Sequence, residues 1–225
     1  MTTRTPTSQT HRRRTIRVQG YDYTQGGAYF ITICARNREC LWGNVVNGVV
    51  QLNETGRLVE AVWLQTARVR PDIVLDAHVV MPNHFHAILF IHESSGVPGA
   101  THRVAPTNNH PSGADKSRCP AGPKPKSVGA IIGQFKSLVT KRLNLTQQNL
   151  DGSVWQRNYY EHVIRDEESL NRIREYIATN PQRWDLDREN LQAAGKDAFD
   201  DWLATFKSSP GNEPTFILRP AGGEC

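Results

Sequence analysis

Two histidines one residue apart, His84 and His86, lie between two apolar stretches of the chain. Residues 73–80 and 84–91 are rich in β-branched and aliphatic side chains, which predicts two strands joined by a turn at Met81-Pro82-Asn83. Because side chains alternate between the faces of a strand, both histidines project from one face. They form a potential pair of nitrogen ligands for a metal ion, although an isolated His-x-His pair is more often structural or solvated.

A tyrosine and an asparagine on a predicted helix form a second candidate pair. The helix is expected to begin at Asp166, a typical N-cap, and to end before Pro181. Tyr176 and Asn180 are four residues apart, so they lie about 40° apart around the helix, beside its apolar stripe. If this helix packs on the sheet, both side chains can face the histidines.

These four side chains could act together in one reaction. Two imidazoles and an amide oxygen could hold a divalent cation with open positions, and oxygen ligation favours Mg²⁺ or Mn²⁺. Such an ion would polarise a phosphodiester, and the hydroxyl of Tyr176 could displace the alcohol to leave a phosphotyrosine bond. The alternative is that Tyr176 is an aromatic side chain that fills a gap between helix and sheet.

Alternating strand and helix patterns indicate the elements that must position these residues. Residues 28–35 and 154–164 read as further strands, and Asn47-Gly48 between valine pairs predicts a hairpin ribbon. Helical spacing of apolar residues follows Asn53 and recurs over 128–144. The pattern indicates a domain that contains both strands and helices.

The positive charge of the chain is concentrated at its start. The 225 residues carry a formal net charge of +5, and residues 1–20 hold five arginines with no acidic residue. This arm, which includes Arg12, Arg13 and Arg14, is suited to phosphate backbones, although a disordered solubilising tail has the same composition. No apolar run is long enough for a membrane span or a signal peptide, so a cytoplasmic protein without membrane contact is expected.

Composition also suggests the domain boundaries. Residues 93–126 contain six of the thirteen prolines and four glycines, which is typical of a loop insertion. We expect a basic arm over 1–20, one catalytic domain over 21–187 interrupted by 93–126, and a C-terminal helix and tail over 188–225. A helix within 196–207 could pack on the core or mask the site.

Four motifs in order resemble those of the REP-associated tyrosine transposases, within the single-tyrosine HUH transposase superfamily. They are Val80-Met81-Pro82-Asn83-His84-Phe85-His86, Gln134-Phe135-Lys136-Ser137, Trp155-Gln156-Arg157-Asn158-Tyr159-Tyr160-Glu161-His162 and Tyr176-Ile177-Ala178-Thr179-Asn180-Pro181. The resemblance extends from about Tyr21 to Trp184, and the insertion and the segment after Asp187 depart from it.

The resemblance implies an α+β fold, with a ferredoxin-like (RRM-like) antiparallel sheet and helices packed on one face, and the patterning adds a small β-ribbon. It implies a metal-dependent endonuclease and strand transferase that acts on single-stranded DNA, with imperfect palindromes folded as hairpins as its substrates. In this reading His84 and His86 bind the metal, Asn180 is a polar third ligand, and Tyr176 forms a 5′-phosphotyrosine link. A protein with this activity would be associated with the nucleoid.

The residues themselves leave several points open. We expect the basic arm together with Lys136, Lys141, Arg142 and Arg157 to contact the DNA hairpin. Two other functions fit the sequence: a nucleic-acid-binding module of the same fold without catalysis, and a phosphodiesterase that uses activated water. The pattern is compatible with a monomer or with a homodimer that exchanges the tyrosine helix.

Overall fold

The structure is a computed structural model, and it describes residues 26–92, 123–146 and 154–205. In chain order its strands are β1 (Gly27–Cys34), β2 (Gly43–Val46), β3 (Val49–Leu52), β4 (Ile73–Val80), β5 (His84–Ile91) and β6 (Tyr160–Ile164). Its helices are α1 (Glu54–Val69), α2 (Val128–Thr146), α3 (Glu167–Thr179) and α4 (Ala198–Thr205). The residues Arg36–Arg38 and Asn180–Leu186 form 3-10 turns.

Four strands form one antiparallel sheet in the order β4-β5-β1-β6, and β2 pairs with β3 in a separate ribbon. The chain order of the sheet and its first two helices is β1-α1-β4-β5-α2-β6, which is the ferredoxin-like arrangement. The predicted α+β class, antiparallel sheet and ribbon are therefore confirmed. The ribbon turns at Asn47 and Gly48, whose φ angles of 51° and 73° suit a tight hairpin.

Helices cover both faces of the sheet, so the expectation of helices on one face was wrong for α3 and α4. One core joins α1 and α2 to alternate residues of β1 and β5, such as Ile31 and Phe85. The other core joins α3 and α4 to the intervening residues, such as Phe30 and Ile88. Both faces of these central strands are apolar, so each face needs a helical layer to exclude water.

Local signals account for the helix starts. The side chain of Asn53 accepts a hydrogen bond from the backbone N–H of Gly56 at 2.9 Å, and that of Asp166 accepts from Ser169 at 2.7 Å. The predicted strand over 154–164 is shorter in the structure, because only its last five residues join the sheet and Trp155 makes an isolated bridge to Ala35.

Some expected features fall wholly or partly outside the described residues. The arm with Arg12, Arg13 and Arg14, most of the 93–126 insertion and the last twenty residues belong to this group. Within the described ranges, no helix is both long enough and apolar enough to cross a membrane.

Candidate active site

The two histidines lie side by side on β5, on the face that α3 and α4 cover. His84 and His86 are fully buried, and their ring centroids are 4.5 Å apart. The alternation of the strand places Phe85 between them on the opposite face, where it packs against Trp63 and Phe135. The expectation that the two imidazoles share one face agrees with this geometry.

Tyr176 lies beside His86. Its hydroxyl is 3.3 Å from Nε2 of His86 and 3.4 Å from Oδ2 of Asp187, and its side chain is 4% exposed. Because Tyr176 follows Ile173 by three residues on α3, the apolar stripe that docks the helix also turns the tyrosine toward the sheet. The structure therefore brings together the two histidines and the tyrosine that the sequence singled out.

Asp187 is a further member of the cluster, and sequence reasoning missed it. Its Oδ2 lies 3.6 Å from Nε2 of His84, while its Oδ1 accepts a hydrogen bond from the backbone N–H of Glu189 at 2.7 Å. One ligand atom from each of His84, His86 and Asp187 lies within 4.8 Å of the others. The 3-10 turn after α3 places Asp187, and a turn leaves no periodic signal in the sequence.

Asn180 is fully buried at the start of that turn. Its Nδ2 donates a hydrogen bond to Oδ2 of Asp187 at 2.7 Å, and its Oδ1 has no hydrogen-bond partner within the described ranges. The side chain thus orients the carboxylate and also presents a free amide oxygen. Its predicted place beside the histidines agrees with the structure, and its role as a ligand stays a prediction.

The donor set of this cluster suits a divalent cation. Nε2 of His84 and Oδ1 of Asn180 are buried polar atoms without a hydrogen-bond partner within the described ranges, and Oδ2 of Asp187 lies 3.6 Å from Nε2 of His84. Buried acceptors without donors are costly, and a cation shared between them removes that cost. His84, His86 and Asp187 could therefore hold a divalent metal ion.

Burial controls the protonation of the site. It lowers the pKa of His84, against the raising effect of Asp187, Glu189 and Asn180, and it lowers that of His86 further. Burial, followed by the charge of Asp187, raises the pKa of Tyr176 well above its usual value. The imidazoles are therefore neutral at neutral pH, and the tyrosine keeps its proton.

Helix α4 covers the tyrosine. The ring of Phe199 stacks on that of Tyr176, and Trp202 packs beside Phe199 with centroids 5.2 Å apart. The guanidinium of Arg172 on α3 lies 4.5 Å from the Trp202 ring. The C-terminal helix thus packs on the core and masks the site at the same time.

The candidate DNA-contacting residues of α2 lie on the opposite side of the sheet from the histidines. Lys136 and Lys141 line an open groove of about 560 Å³ together with Ser137, Thr140, Asn144, Leu145 and Trp155. The ammonium of Lys136 donates to the backbone carbonyls of Gln156 and Asn158, and burial lowers its pKa to about 8.

The two arginines of this predicted set lie outside the groove lining. Arg142 donates to the side chain of Gln65 on α1 at 2.6 Å, and Arg157 is exposed. Lys136, Lys141 and Arg142 lie on the helix that packs on the other face of the sheet, so any contact they make with DNA is made on the side away from Tyr176.

Comparison with known proteins gives one close relative in sequence. An uncharacterised protein of Haemophilus influenzae is 39% identical over 178 residues, which cover 79% of this chain and 93% of that protein. No protein-family model matches the chain.

Two solved structures match the chain at low sequence identity. A REP-associated tyrosine transposase bound to a REP hairpin is 18% identical, covers 91% of this chain and 95% of its own, and has a TM-score of 0.43. A proposed transposase of Deinococcus radiodurans is 16% identical, covers 72% and 95%, and has a TM-score of 0.37.

Proposed function

We propose that this chain, which belongs to the same protein family as the Haemophilus influenzae relative, is a single-tyrosine DNA strand transferase that cleaves and rejoins single-stranded hairpin DNA. One observation carries the proposal: the hydroxyl of Tyr176 lies within 3.4 Å of both a histidine and a carboxylate of a cluster suited to a divalent cation. The four sequence motifs that resemble those of the REP-associated tyrosine transposases support a transferase of that type. A protein that only bound DNA would have no chemical need for this convergence.

The residues divide the reaction between them. His84, His86 and Asp187, with the amide oxygen of Asn180, would hold Mg²⁺ or Mn²⁺. The ion would supply positive charge that partly neutralises the phosphodiester and makes its phosphorus more susceptible to nucleophilic attack. Oxygen donors from the carboxylate and the amide favour Mg²⁺ or Mn²⁺ over softer metals.

Tyr176 is the proposed nucleophile. Its oxygen forms a bond to phosphorus as the bond from phosphorus to the 3′-oxygen breaks, leaving a 5′-phosphotyrosine and a free 3′-hydroxyl. The raised pKa of Tyr176 keeps its proton in place until attack, when solvent takes it, because His86 and Asp187 use their nearby lone pairs to hold the ion. Solvent protonates the departing 3′-oxygen. Rejoining is the reverse step, in which a 3′-hydroxyl attacks the phosphotyrosine.

The basic residues would bind the DNA outside the reacting bond. Helix α2 and the segment 154–158 contain no Asp or Glu, and they carry Lys136, Lys141, Arg142 and Arg157. Such a surface fits a phosphate backbone, whose counterions are released on contact. The arm with its arginines would add to this affinity. The groove would thus hold the hairpin stem while the single strand reaches Tyr176.

The decisive experiment looks for the covalent intermediate. Labelled single-stranded hairpin DNA from the flanks of the gene is incubated with protein and Mn²⁺ and resolved by denaturing electrophoresis. A DNA-linked protein band is expected with wild type and with Tyr159→Phe, a control on the other face of the sheet, and no band is expected with Tyr176→Phe.

The other outcomes separate the alternatives. A band that survives in Tyr176→Phe contradicts the assignment of the nucleophile. Cleavage without any band in wild type indicates hydrolysis by activated water. Bound but uncut DNA leaves only a nucleic-acid-binding module.

A further inference from the structure

Asn83, the residue before His84, contacts both His84 and the segment that follows Asp187. Its side chain is buried, with 1% exposure. Its Oδ1 lies 2.9 Å from Nδ1 of His84, and its Nδ2 donates to the backbone carbonyl oxygens of Glu189 at 2.7 Å and Arg38 at 3.1 Å. One side chain therefore joins the start of β5 to the segment that follows Asp187.

The two carbonyl contacts determine which way the amide points. A carbonyl oxygen can only accept, so the group facing Glu189 and Arg38 must be the NH₂ of Asn83. The amide oxygen then faces His84, and because this oxygen also only accepts, Nδ1 of His84 must carry the hydrogen. In a neutral imidazole, the remaining nitrogen, Nε2, then holds the lone pair.

This lone pair points into the cluster. Nε2 of His84 is buried without a hydrogen-bond partner within the described ranges and lies 3.6 Å from Oδ2 of Asp187. The other tautomer would place a proton between the imidazole and the carboxylate, where a cation would otherwise lie. Asn83 thus selects the tautomer that can bind a metal.

The amide of Asn83 also holds the segment that carries Asp187. Glu189, whose carbonyl accepts from Asn83, donates its own backbone N–H to Oδ1 of Asp187 at 2.7 Å. Asn83 therefore reaches Asp187 through one intervening residue. No regular secondary structure holds this segment, so loss of the amide would leave the carboxylate less well placed.

We propose that Asn83 is a positioning residue for the metal site, which sets the tautomer of His84 and anchors the segment that carries Asp187. The inference rests on the cation-binding part of the proposed function and is independent of the tyrosine chemistry. Thr32 makes a useful contrast: its hydroxyl lies 2.9 Å from Nδ1 of His86, and a hydroxyl can either donate or accept. Thr32 therefore imposes no tautomer by itself and anchors no part of the Asp187 segment.

The test uses Asn83→Leu, which is similar in size without donors or acceptors, and Thr32→Val as the matched control. The turn itself should survive the first change, because its backbone accepts from the N–H groups of Ala35 at 2.8 Å and Trp42 at 3.0 Å. Nitrogen-15 NMR of labelled histidines in metal-free protein gives the tautomers, and electron paramagnetic resonance with Mn²⁺ alone gives the affinity.

We expect the Nδ1–H tautomer for His84 in wild type, and a mixture in Asn83→Leu together with a ten- to hundredfold rise in the Kd for Mn²⁺. Thr32→Val, whose hydroxyl lies beside His86, should leave the tautomer of His84 unchanged. The proposal is overturned by an Nε2–H tautomer of His84 in wild type, by absence of Mn²⁺ binding, or by equal effects of the two substitutions on the tautomer of His84. The first of these needs no variant, so misfolding of Asn83→Leu cannot hide it.

The failure of this inference is distinguishable from that of the proposed function. Wild type that binds Mn²⁺ with the expected tautomer and never forms a DNA adduct contradicts the strand transferase and leaves the role of Asn83 intact. Formation of the DNA adduct, together with equal Mn²⁺ affinity in wild type and Asn83→Leu, supports the strand transferase and contradicts the role of Asn83.

Discussion

The rings of Phe199 and Tyr176 are parallel, with 7° between their planes and 3.7 Å between their centroids. Phe199 belongs to α4, whereas Tyr176 belongs to α3, so the stack joins the C-terminal helix to the proposed nucleophile. With Tyr176 only 4% exposed, a phosphodiester cannot reach its hydroxyl while α4 stays in place. In the proposed reaction, hairpin DNA would therefore have to displace or shift this helix.

The stack leads to a prediction about rate. Phe199→Leu keeps an apolar side chain on α4 and removes the ring contact, so α4 should open more readily. We expect the initial rate of adduct formation to rise about two- to tenfold, in line with the 0.5–1.5 kcal/mol of an aromatic pair. Single-turnover kinetics on hairpin DNA would measure it. Phe90→Leu, the same change elsewhere in the same core, is the control. An unchanged or lower rate in Phe199→Leu would show that α4 does not limit access.

The role of Asp187 can be tested by an isosteric change. Asp187→Asn removes the charge from the cluster while keeping its shape, so the Kd for Mn²⁺ should rise at least about tenfold. The control is Asp185→Asn, an exposed carboxylate on the same turn. Isothermal titration with Mn²⁺ measures both. Equal affinities in the two variants would mean that Asp187 is not a ligand.

His162 on β6 predicts a pH dependence of stability. Burial lowers its pKa to about 4 from a usual value near 6.5. The unfolded chain therefore binds the proton more readily between these values, so this contribution to the free energy of unfolding is complete above about pH 6.5 and is lost as the pH falls toward 4. His162→Gln should flatten this part of the stability profile.

Urea unfolding at a series of pH values measures the effect of His162, and His92→Gln, at an exposed histidine, is the matched control. If wild type and His162→Gln lose the same free energy of unfolding as the pH falls, the loss comes from other groups.

The groove on α2 predicts the salt dependence of DNA binding. Lys141→Glu should weaken binding of hairpin DNA and reduce the slope of log affinity against log salt by about one, because one phosphate contact is lost. Arg68→Glu makes the same charge change on α1, outside the groove lining. Fluorescence anisotropy without metal separates binding from cleavage. Equal slopes of log affinity against log salt in the two variants would show that the DNA does not bind in the groove on α2.

Short-range periodicity made part of this site predictable. His84 and His86 share a face because side chains alternate along a strand, and Tyr176 faces the sheet because it lies beside the apolar stripe of α3. The ribbon follows from an equally local signal, the Asn47-Gly48 turn, whereas the α+β class was implied by the four family motifs. Each of the local conclusions depends on spacing within one element and on that element packing at all.

Tertiary structure decided the rest. Asp187 enters the cluster through a turn, Phe199 covers Tyr176 from a separate helix, and Lys136 and Lys141 lie behind the sheet. No local period relates these residues, because their distances depend on which face each helix covers. The sequence determined which side chains share an element and a face. Only the packing of apolar layers on both sides of the sheet decided which of them meet.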